Sequence, residues 1–371
     1  MIPVAIPDLS GNEEKYAREA IQSSWISSTG PFLDRFEAEF ASQCQTSECL
    51  AVANGTVALH LALLALDVRA GDEVIIPALT YIATANAVRY MGATPVFADV
   101  DPGTWCLDPA RIQELITPRT KGIIAVHIYG HPADMDAING VAKAHGLWVV
   151  EDAAEAHFAE YKGRRVGSMS DIATFSFFGN KVFTCGEGGA ITLNDAGVAA
   201  HARSLRGQGV DPERRYVHPI IGYNYRLTNV AAAMLCAQME RADAILARRS
   251  AIFRAYETYL AGVPGIGFQP VANWAKRTPW LFCITVDPNA FGSTRDELAE
   301  HLRMGGVDNR PFFLGMHMQE PYRDLDAQQK TDLPVTEHLS EVGLNLPTYV
   351  AIEDGQIEMI CARIAEKAGA A

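Results

Sequence analysis

Between residues 49 and 193 the chain alternates short, continuous apolar runs with helix-spaced segments, and that rhythm leaves few folds open. Cys49–Ala53 reads as a buried strand and Val57–Leu66 as a helix. Further strands read at residues 74–77, 95–99, 122–127 and 147–151, separated by helical spacing at about 81–91, 109–116 and 136–145. Strands apolar on both faces belong to a mostly parallel sheet covered by helices on each side. Ligands of such sheets bind beyond the carboxyl ends of the strands. Residues 54–56, Thr80, Tyr81, residues 127–130 and Asp152 all fall at such ends.

Composition narrows the function classes. A length of 371 residues suits one large domain plus a smaller one. With 49% hydrophobic residues and a formal charge of −13, the chain reads as globular and unsuited to nucleic acid or anionic membranes. No apolar run approaches the roughly 20 residues of a membrane helix, and the first residues lack a signal-peptide layout. The seven cysteines are scattered without a CxxC pair, as expected of reduced thiols in a cytoplasm.

The stretch Asp171–Asp195 holds the most chemistry. An apolar run, 172–178, carries Ser176. Lys181 follows, then the corner Gly186-Glu187-Gly188-Gly189 and a second strand, 190–193. A lysine between two apolar runs loses hydration, which lowers its pKa and frees the amine to attack a carbonyl. A surface lysine in a hairpin fits the same residues. Asn54-Gly55-Thr56, between a strand and a helix, offers outward N–H groups and close approach for a phosphate, or an ordinary N-cap. Asp152 could pair with a protonated ring nitrogen or cap the next turn.

Residues 203–226 carry five arginines against Asp211 and Glu213, a local charge of +3 fit for a diphosphate, a solvated loop or an interface. The hydroxyls of residues 25–31 could face a polar ligand, though an N-cap for the helix 32–43 is the better reading. From residue 229 the pattern turns to long helices, then to a smaller α+β portion. The expected division is an arm at 1–12, a large domain at 13–240 and a small C-terminal domain at 241–371.

In order along nearly the whole chain stand N-G-T, T-Y-I-A-T-A-N, H-I-Y-G, E-D-A-A-E-A, F-S-F-F-G-N-K, G-E-G-G, R-G-Q-G-V-D-P-E-R-R-Y and G-Y-N-Y-R-L-T-N. Together they resemble the nucleotide-sugar aminotransferases of the DegT/DnrJ/EryC1/StrS type, which use pyridoxal 5′-phosphate (PLP). The resemblance implies the α/β fold of fold-type-I PLP enzymes, with a mostly parallel seven-stranded sheet and a smaller α+β C-terminal domain. It implies that Lys181 is the Schiff-base lysine and proton carrier, and that Asp152 partners the pyridinium nitrogen. Gly55, Thr56 and Ser176 would hold the phosphate, Tyr81 would stack on the ring, and Glu155 would lie near the ring hydroxyl. Asn224 would reach the phosphate from a second subunit, which implies a homodimer with shared active sites. Arg215, Tyr216 and His317 would contact the nucleotide sugar.

The reaction implied is amino transfer from L-glutamate to C4 of a nucleotide-linked 4-keto-6-deoxyhexose, with GDP-4-keto-6-deoxymannose the leading substrate. A UDP- or dTDP-linked sugar is the nearest alternative, followed by a sugar dehydratase and a non-catalytic PLP-binding homologue. Related dehydratases carry histidine where this chain has Lys181, which favours amino transfer. No metal is expected. The chain departs from the family wording at His131, His157, Phe158, Cys185 and residues 313–317. Of these, His131, His157 and Phe158 could line the sugar side or serve packing.

Overall fold

The structure, a computed structural model of the chain, describes residues 1–325 and 332–369. Its main sheet is built from β1 (Glu48–Val52), β2 (Glu73–Pro77), β3 (Thr94–Ala98), β4 (Thr120–Val126), β5 (Trp148–Asp152), β8 (Ile172–Ser176) and β9 (Gly189–Leu193), while β6 (Glu160–Tyr161) and β7 (Arg164–Arg165) stand outside it in a small sheet with Ala275–Lys276. The seven strands lie in the order β1-β9-β8-β5-β4-β2-β3. Six run one way, and β9 is antiparallel to both its neighbours. The residues between β8 and β9 hold no helix, so the chain returns directly and must run antiparallel.

The connecting helices are α3 (Gly55–Ala65), α4 (Ile82–Tyr90), α5 (Pro109–Ile112) and α6 (Met135–His145). Their starts follow local chemistry. Asn54 Oδ1 accepts from Val57 N at 3.0 Å and Asp134 Oδ1 from Ala137 N at 3.2 Å, each satisfying one orphan donor of its helix. The expected helix at 109–116 is shorter, with a 3₁₀ turn replacing its second half. A helix at Ala196–Arg206 was not foreseen; it buries a thin stripe of Ala199, Ala202 and Leu205.

Past Asn229–Glu240 and the long helix Ala242–Leu260, the C-terminal part forms a four-stranded antiparallel sheet. Its strands are Ile266–Phe268, Phe282–Val286, Gly343–Leu346 and Arg310–Pro311, in that spatial order. A second apolar cluster lies there, with Ile284, Leu344, Leu298 and Ile360 fully buried. The helix Ala242–Leu260 gives Ala242 and Ile245 to the first cluster, and Ile252, Phe253 and Tyr256 to the second. The first residues join the C-terminal part, since Ile2 N donates to Gly306 O at 2.7 Å. We keep 13–240 and 241–371 as a proposed division. Among the described residues no helix is long and apolar enough to cross a membrane, no acidic, histidine and cysteine cluster could hold a metal, and all seven cysteines are buried and free.

Candidate active site

The carboxyl ends of β5 and β8, with the turn into α3, floor a cavity of about 440 Å³. Its lining includes Asn54, Gly55, Thr56, Tyr81, Thr84, Asp152, Glu155, Ser176 and Lys181. Strand β9 inserts between β1 and β8, and glycine permits the crowding this causes. A Cβ on Gly55 would stand 2.7 Å from Ser176 Cβ, and one on Gly189 would stand 2.5 Å from the Asn54 carbonyl. The first N–H groups of α3, those of Gly55 and Thr56, have no intrahelical acceptor available and sit at the positive end of the helix dipole. With Ser176 Oγ beside them they form a cradle suited to a phosphate.

Asp152 ends β5 and is buried. Its Oδ2 accepts from Thr84 Oγ1 at 2.8 Å and its Oδ1 from Ala154 N at 3.2 Å, so the carboxyl caps a turn and also faces the cavity. Burial raises its pKa, against these bonds and the charge of Lys181; a cationic ring nitrogen beside it would restore the carboxylate. Behind it, Glu151 and His127 are fully buried and paired at 3.1 Å, His127 Nε2 donating because Nδ1 accepts from Ala133 N. That pair fastens the ends of β4 and β5 together.

Lys181 follows β8 and is 12% exposed. Its Nζ lies 3.8 Å from Glu155 Oε1 and 4.1 Å from the centroid of Trp280. Burial lowers the ammonium pKa, and Glu155 and Asp152 oppose that shift. Glu155 is pushed up to about 7 by burial, while Lys181 and the N–H of Tyr129, donating at 2.7 Å, pull the other way. A depressed amine between two acids of perturbed pKa is suited to carrying a proton.

Tyr81 sits above this floor, 57% exposed, with its ring 5.7 Å from that of Phe313. Of the remaining expected site residues, none lines the cavity within one chain. Asn224 is exposed beyond the edge of β1, in backbone pairing with Gly207. Arg215 and Tyr216 are on the surface, the guanidinium 4.9 Å from the Tyr216 ring. His317 is buried and pairs with Glu337 at 3.2 Å. Residues not foreseen supply the opposite wall: Trp280, Leu281, Arg310, Phe313 and Asn345. The wall is moored to the main sheet. Asp99, past the end of β3, accepts from Val335 N, Thr336 N and Thr336 Oγ1 at 2.7–3.0 Å, capping the helix Pro334–Val342. Ser340 on that helix donates to Phe313 O at 3.0 Å and accepts from Gly315 N at 3.1 Å.

One expectation needs correction, the N-cap at residues 25–31, and two open alternatives narrow. His131, His157 and Phe158 do not line the sugar side; all are buried in packing. His131 Nδ1 bonds Pro132 O at 2.7 Å and Nε2 accepts from Ala272 N, and burial pushes its pKa down to about 4. His157 sits among Phe175, Phe177 and Phe183, and Phe158 packs on Phe40 and Phe183. No hydroxyl of residues 25–31 caps the helix Pro31–Cys44. Asn229 Oδ1, far along the chain, takes the N–H groups of Phe32 and Leu33, while Ser28 Oγ accepts from Arg226. The basic segment is largely consumed by local pairs: Arg203 and Arg206 with Glu37, Arg214 with Asp211.

The sequence and the fold have close counterparts. The sequence matches the DegT/DnrJ/EryC1/StrS aminotransferase family over residues 7–365. It is 48% identical over 364 residues to the GDP-perosamine synthase of Caulobacter vibrioides, covering 98% of this chain and 97% of that one. It is 42% identical over 365 residues to the GDP-perosamine synthase of Escherichia coli O157:H7, covering 98% of both. A putative sugar aminotransferase of Streptococcus pneumoniae, solved in its PLP form, superposes with a TM-score of 0.92 at 26% identity, covering 100% of this chain and 99% of that one. With its lysine, its buried aspartate and its helix-end cradle around one cavity, the chain belongs to the DegT/DnrJ/EryC1/StrS aminotransferase family.

Proposed function

We propose that this aminotransferase binds PLP and moves an amino group from L-glutamate to C4 of GDP-4-keto-6-deoxymannose, giving GDP-perosamine and 2-oxoglutarate. The observation that carries the reading is the convergence of Lys181, Asp152 and the Gly55–Thr56–Ser176 cradle on one cavity. Those residues fit PLP: the cradle suits its phosphate, Asp152 its ring nitrogen, and Lys181 its aldehyde. PLP, when bound, supplies a carbonyl for amines and a ring that takes up electrons. Lys181 Nζ holds and returns the proton exchanged at the reacting carbon. Asp152, fixed by Thr84, keeps negative charge against the ring nitrogen. Tyr81 would cover the ring, and Glu155 Oε1 stands 3.8 Å from Lys181 Nζ. The GDP-linked substrate is supported by the relatives named above.

The reading includes a homodimer. Asn224, Arg215 and Tyr216 lie away from their own chain's cavity on a surface that exposes apolar side chains, Ile221 by 89% and Tyr216 by 78%. A second copy would cover that surface and bring those residues to its neighbour's cavity. The test is reconstitution with PLP, followed by a panel of GDP-, UDP- and dTDP-linked 4-keto-6-deoxyhexoses with glutamate, read by mass. An amino product from the GDP sugar is expected. Turnover only with another nucleotide would overturn the substrate, and a product lacking nitrogen would overturn amino transfer. Lys181→Ala is expected to lose the Schiff-base absorbance at roughly 410–430 nm.

A further inference from the structure

Trp280 is 2% exposed, and its ring is fixed from several directions. Its Nε1 donates to Asn180 O at 2.8 Å, the carbonyl next to Lys181. Its own carbonyl and that of Pro279 accept from Arg249, a buried guanidinium given to these two backbone oxygens. Tyr129 lies nearly parallel to it at 6.2 Å. The face turned to the cavity carries Lys181 Nζ at 4.1 Å. An indole face attracts a cation through its quadrupole, most strongly where water is excluded.

We propose that Trp280 is a positioning residue for Lys181, its indole face holding the amine whenever that nitrogen is not bonded to the cofactor. The inference rests on the proposed PLP chemistry, in which the lysine must be released and then return along the same path. Free in a wide cavity, a four-carbon side chain has many rotamers; held between the indole and Glu155 it has few. The ring also favours the charged amine, which has to exist when the proton is handed back. The other titratable groups around the lysine are Asp152 and Glu155 from the floor, His157 behind β8, and Glu187 and Arg310 on the cavity lining.

The test measures the apparent pKa of Lys181 itself. Trace acetylation across pH, read by peptide mass spectrometry, is applied to the full chain without cofactor and to the chain loaded with pyridoxamine phosphate. Trp280→Leu is expected to lower that pKa by about one unit, and Trp280→Phe by less, since a weaker π face remains. An unchanged or raised value in Trp280→Leu overturns the proposal, because the ring would then act only as packing or by excluding water. Equal shifts in Phe and Leu overturn it as well. Should Trp280→Leu fail to fold, Trp280→Phe decides alone: a lowered value supports the inference and an unchanged one sinks it. The underlying reading fails separately, by wild-type protein forming no coloured adduct with PLP.

Discussion

Among the described residues, the buried imidazole of His157 has no hydrogen-bond partner of normal geometry for either nitrogen, only the Ser176 backbone nearby, and it is enclosed by Phe175, Phe177 and Phe183. Burial, with the charge of Lys181 adding to it, pushes its pKa down to about 3. The unfolded chain titrates near 6.5. Between those values the unfolded chain binds a proton that the folded chain refuses. Stability from this group is therefore full above about 6.5 and drains away as pH falls towards about 3. At about pH 5 the loss is roughly 1.5 units of proton affinity, or about 2 kcal/mol. His157→Leu removes it. Near pH 8 the variant loses ring contacts but frees two unsatisfied nitrogens, each effect being about 1 kcal/mol, so the two proteins should nearly match. Near pH 5 the variant should be the more stable by about 2 kcal/mol. Glu155 titrates in the opposite sense but is common to both proteins and cancels. Urea unfolding at both pH values, followed by tryptophan fluorescence, measures the double difference. An equal gap at pH 8 and pH 5 would refute the reasoning, since it would mean that His157 carries its proton in the folded state. Phe175 and Phe177 also flank Ser176 of the proposed cradle.

Two further outcomes follow from the site. Gly55→Ala places a methyl 2.7 Å from Ser176 Cβ, an overpacking of about 1–3 kcal/mol, so PLP affinity should fall about tenfold or more, read by equilibrium dialysis. Thr84→Val removes the 2.8 Å donor to Asp152 and should weaken PLP binding about tenfold, while Thr84→Ser restores it.

The parts of the floor are local and could be named from the sequence, but their roles could not: strand, small polar turn and helix at residues 49–66 fit a cradle or an N-cap, and Asp152 fits a ring partner or a turn cap. The opposite wall was not legible. Trp280, Arg310 and Asn345 lie in a portion that read only as α+β, with nothing to say what its side chains face. Their places depend on docking between sequence segments more than a hundred residues apart. The same distance hid the Asn229 cap of the helix Pro31–Cys44. The departures at His131 and His157 stayed open because a histidine beside a motif suits a ligand or packing equally; here each ring fills core volume. Asn224, Arg215 and Tyr216 could not be placed against a cavity by one chain alone.

The carboxylate of Asp99 has an evolutionary consequence. It ties the helix Pro334–Val342, and through Ser340 the stretch at 313–315, to the end of β3, with two strands between it and β5 with its Asp152. Under the proposed function, substitutions at 311–316 would reshape the wall while leaving Lys181, Asp152 and the helix-end cradle in place. On that reading sugar preference would change by editing one short stretch, provided the mooring is kept.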